Sequence, residues 1–356
     1  MKKIIAFYLP QFHTFPENDE WWGKGFTEWT NTKKATPLYD NHYQPRTPLN
    51  ENYYDLSKKE HIINQMDIAK KYNIYGFCYY HYWFSGKLLM EKPIEIMRNL
   101  EERINYCFCW ANEPWTRSWD GLTNNIIMPQ NYTGLEGWNN HFNYLEKFFT
   151  DEKYIKIDNK PVFIIYRSNN IPDFDKMVEY FNDRCISLGF SGIEIIEEYN
   201  TFQNSPIVSS NKTLYFEPMH TISFGRSFFE KVFNKLSNKS FNKKRSLSIK
   251  RFSYDKIWKH ILKKNNKKST IIPGAFVDWD NTARRGAHST IITDATPEKF
   301  GKYLGFLLDK TSSEYVFINA WNEWAEGAYL EPDQKYKYSY LERLQQELVS
   351  NDKKEA

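Results

Sequence analysis

Short apolar runs recur along the chain, and each run ends in polar or aromatic residues. Eight of them, rich in β-branched and aromatic side chains, occupy residues 4–9, 75–80, 104–110, 161–166, 193–196, 213–216, 271–277 and 315–320. Runs of this length predict buried β-strands. Amphipathic stretches with apolar residues at helical spacing lie between several of them, at 58–72, 138–149, 174–188 and 297–308. Apolar strands that alternate with helices predict a parallel sheet covered on both faces.

Eight such strands predict an α/β fold of the (β/α)8 TIM-barrel type, and 356 residues is an ordinary length for one barrel with insertions. The alternative is a doubly wound open sheet, but no glycine-rich dinucleotide or phosphate loop follows any of the runs. We expect a single catalytic domain over residues 1–350. Its first βα loop, at 10–57, is long, and a lysine-rich insertion at about 225–268 precedes the seventh strand.

Polar and aromatic residues gather directly after six of the eight runs, at 8–13, 81–83, 112–115, 217–220, 278–280 and 322–326. In a TIM barrel the carboxyl ends of the strands meet at one face, where active sites lie. The pattern therefore predicts one site built from these segments. Five substrate-binding candidates from the strand ends and the first loop are His13, Trp22, His81, Trp83 and Glu217. For a single histidine, a structural role is the alternative.

Two glutamates three residues apart, Glu323 and Glu326, follow the last apolar run. Around them stand Trp321, Asn322 and Trp324, which we include as substrate-binding candidates. Paired carboxyls among indole rings are typical of sugar-cleaving sites, where one carboxyl donates a proton and the other acts as base or nucleophile. Both can face one cleft only if the strand ends and the chain turns, which Gly327 permits. We then expect their pKa values to move apart, leaving one protonated. The alternative is a pair that caps a helix or organises a loop.

A second carboxylate, Glu113, follows Asn112 after the third run, with Trp110 and Trp115 on either side. The sequence resembles the Asn-Glu-Pro acid/base signature of many retaining barrel glycosidases, which follows their fourth strand. Because this chain places it after the third strand, a loop glutamate that binds a substrate hydroxyl or backbone amides is the alternative. Arg117, a little further on, could meet a phosphate or carboxylate on the substrate.

Asp278 and Asp280 flank Trp279 after the seventh run. Their alternation puts both carboxylates on one side of an extended chain. Two roles are open for them: they bind a sugar hydroxyl, or they pair with the nearby Arg284 and Arg285.

The charge of the chain is distributed unevenly. Residues 231–268 contain fourteen lysines and arginines and a single acid, Asp255, whereas the rest of the chain has a net charge of −9. Such a segment could contact anionic lipid or a lipid-linked diphosphate glycan, and the alternative is a solvated insertion. No nucleic-acid-binding module is recognisable and the remainder is acidic, so we expect no nucleic-acid partner.

The four cysteines form no pair of CxxC motifs, so we expect no zinc site and instead buried free thiols in a reducing compartment. Pro10, Gln11 and His13 interrupt the first apolar run too early for a signal peptide. The sequence contains no run of about 20 apolar residues, so no membrane span is predicted. We therefore expect a cytoplasmic protein, peripheral at most to the inner face of the membrane.

Five motifs carry a resemblance that extends from residue 4 to about residue 341. They are IIAFYLPQFH at 4–13, WGKGFTEWTN at 22–31, YGFCYYHYW at 75–83, CWANE at 109–113 and WNEWAEG at 321–327. Together they resemble the WbsX-type family, which is encoded in bacterial surface-polysaccharide clusters and commonly labelled as glycosyltransferases. That family is similar to family 99 glycoside hydrolases, which are retaining endo-α-mannosidases and endo-mannanases with a (β/α)8 barrel.

The resemblance implies roles for the Glu-x-x-Glu pair. Glu323 would deprotonate the sugar 2-hydroxyl, which attacks its own anomeric carbon to give a 1,2-anhydro sugar. Glu326 would protonate the leaving oxygen and then activate the incoming water or acceptor. No metal or other cofactor is implied. Pro114 is a departure, because many relatives have asparagine there, and it puts the loop that carries Trp115 in doubt.

The sequence thus predicts a retaining glycoside hydrolase or transglycosidase that acts on a bacterial surface-polysaccharide glycan during its assembly. The alternative is a glycosyltransferase of O-antigen or capsular polysaccharide biosynthesis that uses an activated sugar donor. The expected cytoplasmic location favours biosynthesis, whereas the barrel and the paired acids favour hydrolase chemistry. A non-catalytic glycan-binding module is a third class, and it would not need the acid pair.

Overall fold

The computed structural model describes residues 2–116, 126–203, 205, 212–264 and 268–355. Eight strand positions form its parallel sheet, and the seventh has two halves. They are β1 (Lys3–Tyr8), β2 (Ile74–Phe84), β3 (Asn105–Trp110), β4 (Lys160–Ile165), β5 (Glu194–Tyr199), β6 (Lys212–Tyr215), β7 (Ile271–Ile272 and Gly274–Phe276) and β8 (Tyr315–Asn319).

Each strand pairs in parallel with the next one along the chain, and β8 returns to pair with β1. Closure depends on the broken seventh strand: its first half pairs with β6 and its second half with β8. Pro273 separates the halves and cannot donate to the ladder, but its carbonyl accepts from the N–H of Phe317 at 3.2 Å. The predicted (β/α)8 barrel is confirmed.

Twelve helices surround or cap the barrel in the described part of the chain. They are α1 (Pro16–Trp22), α2 (Glu28–Lys34), α3 (Lys59–Lys71), α4 (Lys92–Arg98), α5 (Gly134–Phe149), α6 (Phe174–Ser187), α7 (Met219–Phe224), α8 (Phe228–Lys243), α9 (Tyr254–Lys263), α10 (Thr282–Arg285), α11 (Pro297–Lys310) and α12 (Ser339–Glu355). The four helices predicted from periodicity correspond to α3, α5, α6 and α11.

Helix α11 illustrates how the sequence specifies the outer layer. Pro297 occupies the first turn, where a missing N–H costs nothing, and the Thr296 hydroxyl caps the helix by accepting from the N–H of Lys299 at 3.3 Å. Phe300 and Leu304, four residues apart, are fully buried against the barrel.

The second half of the lysine-rich segment forms helix α9, which packs against the barrel. Helix α9 buries Tyr254 and Trp258, and the Trp258 ring stacks on Tyr303 of α11 at 5.7 Å. Its lysines lie on the outer side, which made the helix look like an insertion. The sequence before α9 adds α8 and a short strand, Lys250–Ser253, that pairs in parallel with Thr290–Thr293.

The long first loop folds over the carboxyl ends of the strands through α1, α2 and a 3-10 turn at Leu49–Glu51. In the described ranges, no helix is both long and apolar enough to cross a membrane.

Candidate active site

The chain turns immediately after β8, and this turn sets the direction of both glutamates. Asn322 anchors it to the end of β1, because its side chain accepts from the N–H of Leu9 at 2.7 Å and donates to the Leu9 carbonyl at 2.9 Å. Glu323 ends a short strand, and Glu326 ends the 3-10 turn that follows. Gly327 closes the turn with a φ of 63°, a conformation that glycine adopts without strain.

A cleft of about 280 Å³ lies at the carboxyl ends of the strands. Both Glu323 and Glu326 line it, as the paired-acid hypothesis requires. Its other lining residues come from most strand ends and include Tyr80, Tyr82, Glu113, Trp115, Tyr166, Phe216, Met219, Trp279, Arg284 and Arg285.

One guanidinium joins three carboxylates at the base of this cleft. Arg284 donates from Nε to Glu28 at 2.9 Å, from Nη1 to Glu326 at 2.5 Å and from Nη2 to Glu323 at 3.1 Å. Glu28 is 1% exposed and Glu323 is 6% exposed. We call these four residues the Arg284 cluster.

The Arg284 cluster contains more negative than positive charge. Burial raises the pKa of Glu323 to about 8, and the neighbouring carboxylates of Glu326 and Glu28 add to the rise, while Arg284 opposes it. Burial also raises the pKa of Glu326, again against the pull of Arg284. Like charges this close cannot all ionise, so the cluster retains a proton near neutral pH.

Glu113 lines the opposite wall of the cleft as part of an ion pair with Arg167. Burial raises the pKa of Glu113; Arg167 opposes this rise and the carboxylate of Glu326 adds to it. The Arg167 guanidinium also lies 3.5 Å from the centre of the Phe202 ring. Asn112 does not line the cleft: its amide holds the backbone N–H and carbonyl of Arg167 at 2.8 Å each, so it positions the partner of Glu113.

Three aromatic candidates from β2 and β3 face away from the cleft. The His81 and His141 rings meet at 2.9 Å between their Nε2 atoms, and Trp83 stacks on His141 at 4.7 Å. Trp110 contacts the same histidine and donates to the Trp83 carbonyl at 3.1 Å. The prediction that these side chains line the substrate site is wrong, because alternate strand residues point to opposite faces. The residues of β2 that do line it are Tyr80 and Tyr82.

The two aspartates after β7 form a second charged cluster that opens away from the cleft. Arg46 donates to Asp278 at 2.9 Å, while His42 and Gln44 bind Asp280 at 2.8 and 3.1 Å. We call these five residues the Arg46 cluster. The arginine partner is therefore Arg46 of the first loop, and pairing with Arg284 and Arg285 is the wrong alternative.

Trp279, a substrate-binding candidate between these aspartates, lines the cleft. The backbone N–H of Asp280 donates to the Glu326 carbonyl at 2.7 Å. The Arg46 cluster thereby holds the turn that carries the acid pair.

The other candidates lie behind the cleft or beside it. Glu217 pairs with Lys264, and His13 bonds to the Pro10 carbonyl at 3.0 Å. Trp22 lines a neighbouring depression of about 200 Å³ that shares Trp115 with the cleft.

Two more tryptophans are fully covered. Trp321 packs against Phe77 at 5.1 Å, and Trp324 stacks on Tyr329 at 3.9 Å and donates to Glu331 at 2.6 Å. They do not line the cleft, because the turn directs the glutamates into the cleft and the indoles into the core. Arg117 lies outside the described residues.

Glu28 and Arg167, which form ion pairs with residues of the cleft, were not predicted from the sequence, and Arg284 was predicted only as a partner of the aspartates. Glu28 stands inside the motif at 22–31 but was not assigned chemistry. Arg284 had no local signal as a partner of Glu28, which is 256 residues away along the chain. Tyr80 and Tyr82 could have been predicted from the alternation of side chains along β2. Within the described ranges, no group of three or more His, Cys, Asp and Glu residues is arranged to hold a metal ion.

Comparison with protein families gives a match to the model described as Glycosyltransferase WbsX over residues 4–344. Curated relatives from two strains of Xanthomonas campestris pv. campestris, described as uncharacterized protein WxcX, are 31% identical over 359 residues. The alignment covers 97% of this chain and 49% of the relative, so the chain spans about half the length of the curated relatives it matches.

Solved structures with a similar fold include the GH99 endo-alpha-mannosidase from Bacteroides thetaiotaomicron. That structure has a TM-score of 0.60 and 14% sequence identity, covering 99% of this chain and 98% of the other. A chain described as a glycoside hydrolase-like protein has a TM-score of 0.59 and 13% identity, covering 97% and 93%. At these identities the likeness shows the fold alone.

Proposed function

This chain belongs to the WbsX glycosyltransferase family, as its motifs predict, and from that premise we propose that it is a retaining glycoside hydrolase or transglycosidase acting on a bacterial surface-polysaccharide glycan. The observation that carries the proposal is the Arg284 cluster, in which Glu323 and Glu326 share one guanidinium and line one cleft. A carbohydrate-active enzyme is the general class that the family supports.

The proposed reaction has two steps, and each balances. Glu323 takes the proton from the sugar 2-hydroxyl as O2 attacks C1, and the bond from C1 to the leaving oxygen breaks while Glu326 protonates that oxygen. The product is a 1,2-anhydro sugar. Glu326 then removes a proton from water or an acceptor hydroxyl, which attacks C1, and O2 recovers its proton from Glu323. Two displacements retain the anomeric configuration.

The two carboxyls titrate together around Arg284, so their proton belongs to the pair. Burial raises the pKa of Glu323 to about 8, which favours the proton there in the free protein, whereas the first step requires it on Glu326. Arg284 stabilises the ionised Glu323 that the first step requires.

The walls of the cleft suit a sugar ring. Tyr82, Trp115 and Trp279 offer aromatic surface for the apolar face of a pyranose, and Glu113, which Arg167 holds in an ion pair, offers an acceptor for hydroxyl groups.

A second candidate function is a glycosyltransferase that uses an activated sugar donor. The description of the matching family model favours it. Arg285 also lines the cleft, where a cation would stabilise a phosphate leaving group.

Mass spectrometry of products tests the proposal and separates it from this alternative. The protein would be incubated with polysaccharide and lipid-linked glycans of its source organism, with and without nucleotide sugars. We expect shortened or rearranged glycans without any donor, lost in Glu326→Gln and retained in Glu298→Gln, an exposed control. Lengthened glycans that require the donor pool would instead support the transferase.

We also propose that the glycan is lipid-linked and that the protein acts on the cytoplasmic side of the membrane. The basic segment at 231–268 supports contact with an anionic surface. Cys78, Cys107, Cys109 and Cys185 are free and buried, which is usual for proteins of a reducing compartment. Fractionation of cells that produce the protein would test this location.

A further inference from the structure

Helix α8 presents its apolar side to solvent and its polar side to the protein. Phe228 is 74% exposed, Phe229 83%, Phe233 66% and Leu236 61%. At 100° per residue these side chains, with Val232, fall on one stripe of the helix. A helix that packs on a barrel normally has the opposite orientation. In water, α8 therefore exposes a continuous apolar surface.

The orientation is fixed by contacts of the polar side. Asn238 accepts from the backbone N–H of Arg251 and donates to its carbonyl, at 3.2 and 3.3 Å, and Asn242 does the same with Ile249, at 3.2 and 2.9 Å. These paired hydrogen bonds attach α8 to the neighbouring strand, Lys250–Ser253. The apolar stripe cannot turn inward without breaking them.

The N-terminus of α8 is also well defined. Ser227 and Glu230 form a capping box, and Glu230 contacts His260 of α9 at 3.0 Å. Glu230 is the one acid in the helix sequence and is held by these contacts. The helix is therefore a fixed element, and its one acid is held on the side that faces α9.

Lysines border the exposed stripe. Lys235, Lys239 and Lys243 recur at four-residue spacing along one edge and are exposed, and Lys244 and Arg245 follow the last turn. Exposed aromatic side chains beside lysines whose stems can extend to a charged surface are typical of helices that lie in the membrane interface.

The helix lies on the same side of the barrel as the cleft. It follows β6 through α7, and Met219 at the start of α7 lines the cleft. Phe241 of α8 contacts Tyr39 of the first loop at 5.3 Å, and that loop also covers the carboxyl ends of the strands.

We propose that α8 docks this protein on an anionic membrane surface, with Phe228, Phe229 and Phe233 inserted at the boundary between headgroups and acyl chains and the lysines contacting the headgroups. Charge complementarity favours this occupant, because the segment is basic whereas the rest of the chain, with a net charge of −9, would be repelled. Docking would hold the cleft beside lipid-linked glycans; that consequence rests on the proposed function, and the docking itself does not.

Vesicle co-sedimentation tests the docking. We expect the protein to bind vesicles of phosphatidylglycerol and phosphatidylethanolamine at least about tenfold more tightly than vesicles of phosphatidylcholine. Replacing Phe228, Phe229 and Phe233 with serine should abolish binding to both, because the apolar insertion is lost. Replacing Lys235, Lys239 and Lys243 with glutamine should weaken anionic binding about a hundredfold, at about fivefold per charge.

Matched controls exclude general effects of surface substitution. Leu135, Ile186 and Phe306 are 62%, 52% and 50% exposed on three other helices, and their serine variants should bind as the unmodified protein does. Glutamine at Lys59, Lys176 and Lys302 controls for net charge in the same way. Thermal melts of all variants should agree, because every substituted side chain is exposed.

Three results would overturn the proposal. In the first, the unmodified protein does not bind anionic vesicles. In the second, the variant with serine at Phe228, Phe229 and Phe233 binds them as tightly as the unmodified protein. In the third, the unmodified protein forms a concentration-dependent dimer that this variant does not form, and neither protein binds vesicles. Vesicle binding by Glu326→Gln should equal that of the unmodified protein, so a failure of docking and a failure of the proposed catalysis are distinguishable.

Discussion

The Arg284 cluster and the Arg46 cluster are neighbours, joined by the backbone hydrogen bond from Asp280 to Glu326, yet the pKa of Asp280 is shifted in the opposite direction from those of the acid pair. In the first, three carboxylates compete for one guanidinium, and the pKa values of Glu323 and Glu326 are raised. In the second, donors from several side chains converge on Asp280, and its pKa is lowered in spite of burial, whereas burial raises the pKa of Asp278 against the pull of Arg46.

The difference shows that burial beside an arginine does not by itself define the role of an acid. The number of hydrogen-bond donors that reach an individual carboxylate helps to decide whether it retains a proton or stays ionised. A group that retains a proton next to a cleft can transfer it, whereas a group saturated with donors in a closed site is a structural anchor.

The largest expected effect is a difference in catalytic rate between a variant of the Arg284 cluster and a variant of the Arg46 cluster. Glu326→Gln removes the proton donor of the proposed reaction and should lower the rate of glycan cleavage by about 10³-fold or more, with folding intact. Asp280→Asn should retain most of the activity of the folded protein. Rates and thermal melts measured side by side provide the check, and comparable rate losses in both variants would remove the proposed distinction.

Removal of Arg284 should give the largest loss of stability. Arg284→Met leaves Glu28, Glu323 and Glu326 without their shared cation, and breaking a buried ion pair in this way costs about 3–5 kcal/mol. Urea unfolding would measure the loss. Arg285→Met, at the rim of the same cleft, is the matched control and should change the free energy of unfolding little.

Glu198 extends the comparison to an acid with no ion pair in the described contacts. It is fully buried, and burial raises its pKa from the ordinary 4.5 to about 8, partly opposed by hydrogen bonds from Asn200 and Cys109. Between these pH values the folded state holds a proton that the unfolded state has released, so stability should fall as pH rises through the window.

The Glu198→Gln variant should therefore become more stable than the unmodified protein above pH 8, on the order of a few kcal/mol, and show no such advantage below the ordinary pKa of 4.5. Thermal melts across the pH range would measure this. A constant difference between the two proteins at every pH would show that Glu198 does not titrate as proposed.

The smallest expected effect concerns the anchor. Asp280→Asn weakens charge-assisted hydrogen bonds to His42 and Gln44 and should cost about 1.5–3 kcal/mol at neutral pH. Because the pKa of Asp280 is lowered in the folded state, this stabilisation is present above its ordinary value of 3.8 and is lost as the pH falls below it. Denaturant curves at neutral and acidic pH should converge for the two proteins.

Much of the fold could be predicted because it depends on local pattern. The eight apolar runs became the eight strand positions of the closed barrel, and periodicity identified four helices. The position of Glu323 and Glu326 in one cleft was also predictable, since a short segment with a terminal glycine can turn in few ways.

The side on which a residue lies was less predictable. His81 and Trp83 were predicted from their chemistry, but adjacent residues of β2 point to opposite faces of the sheet. Both side chains therefore lie in the outer layer, where they contact His141. Similarly, the many lysines of the segment before β7 predict an insertion with some helical periodicity at 252–262, whereas the structure shows that α9 packs there through a few large buried residues.

By itself, then, the sequence determined the strands, four of the helices, the family motifs and the acid pair, because hydrophobic periodicity and turn residues act over short distances. Only the tertiary structure decided which arginine serves which acid. Arg284 joins Glu28 to the turn after β8, and Arg46 crosses from the first loop to Asp278. Such partners are brought together by closure of the barrel, and a long-range ion pair leaves no periodic signal along the chain.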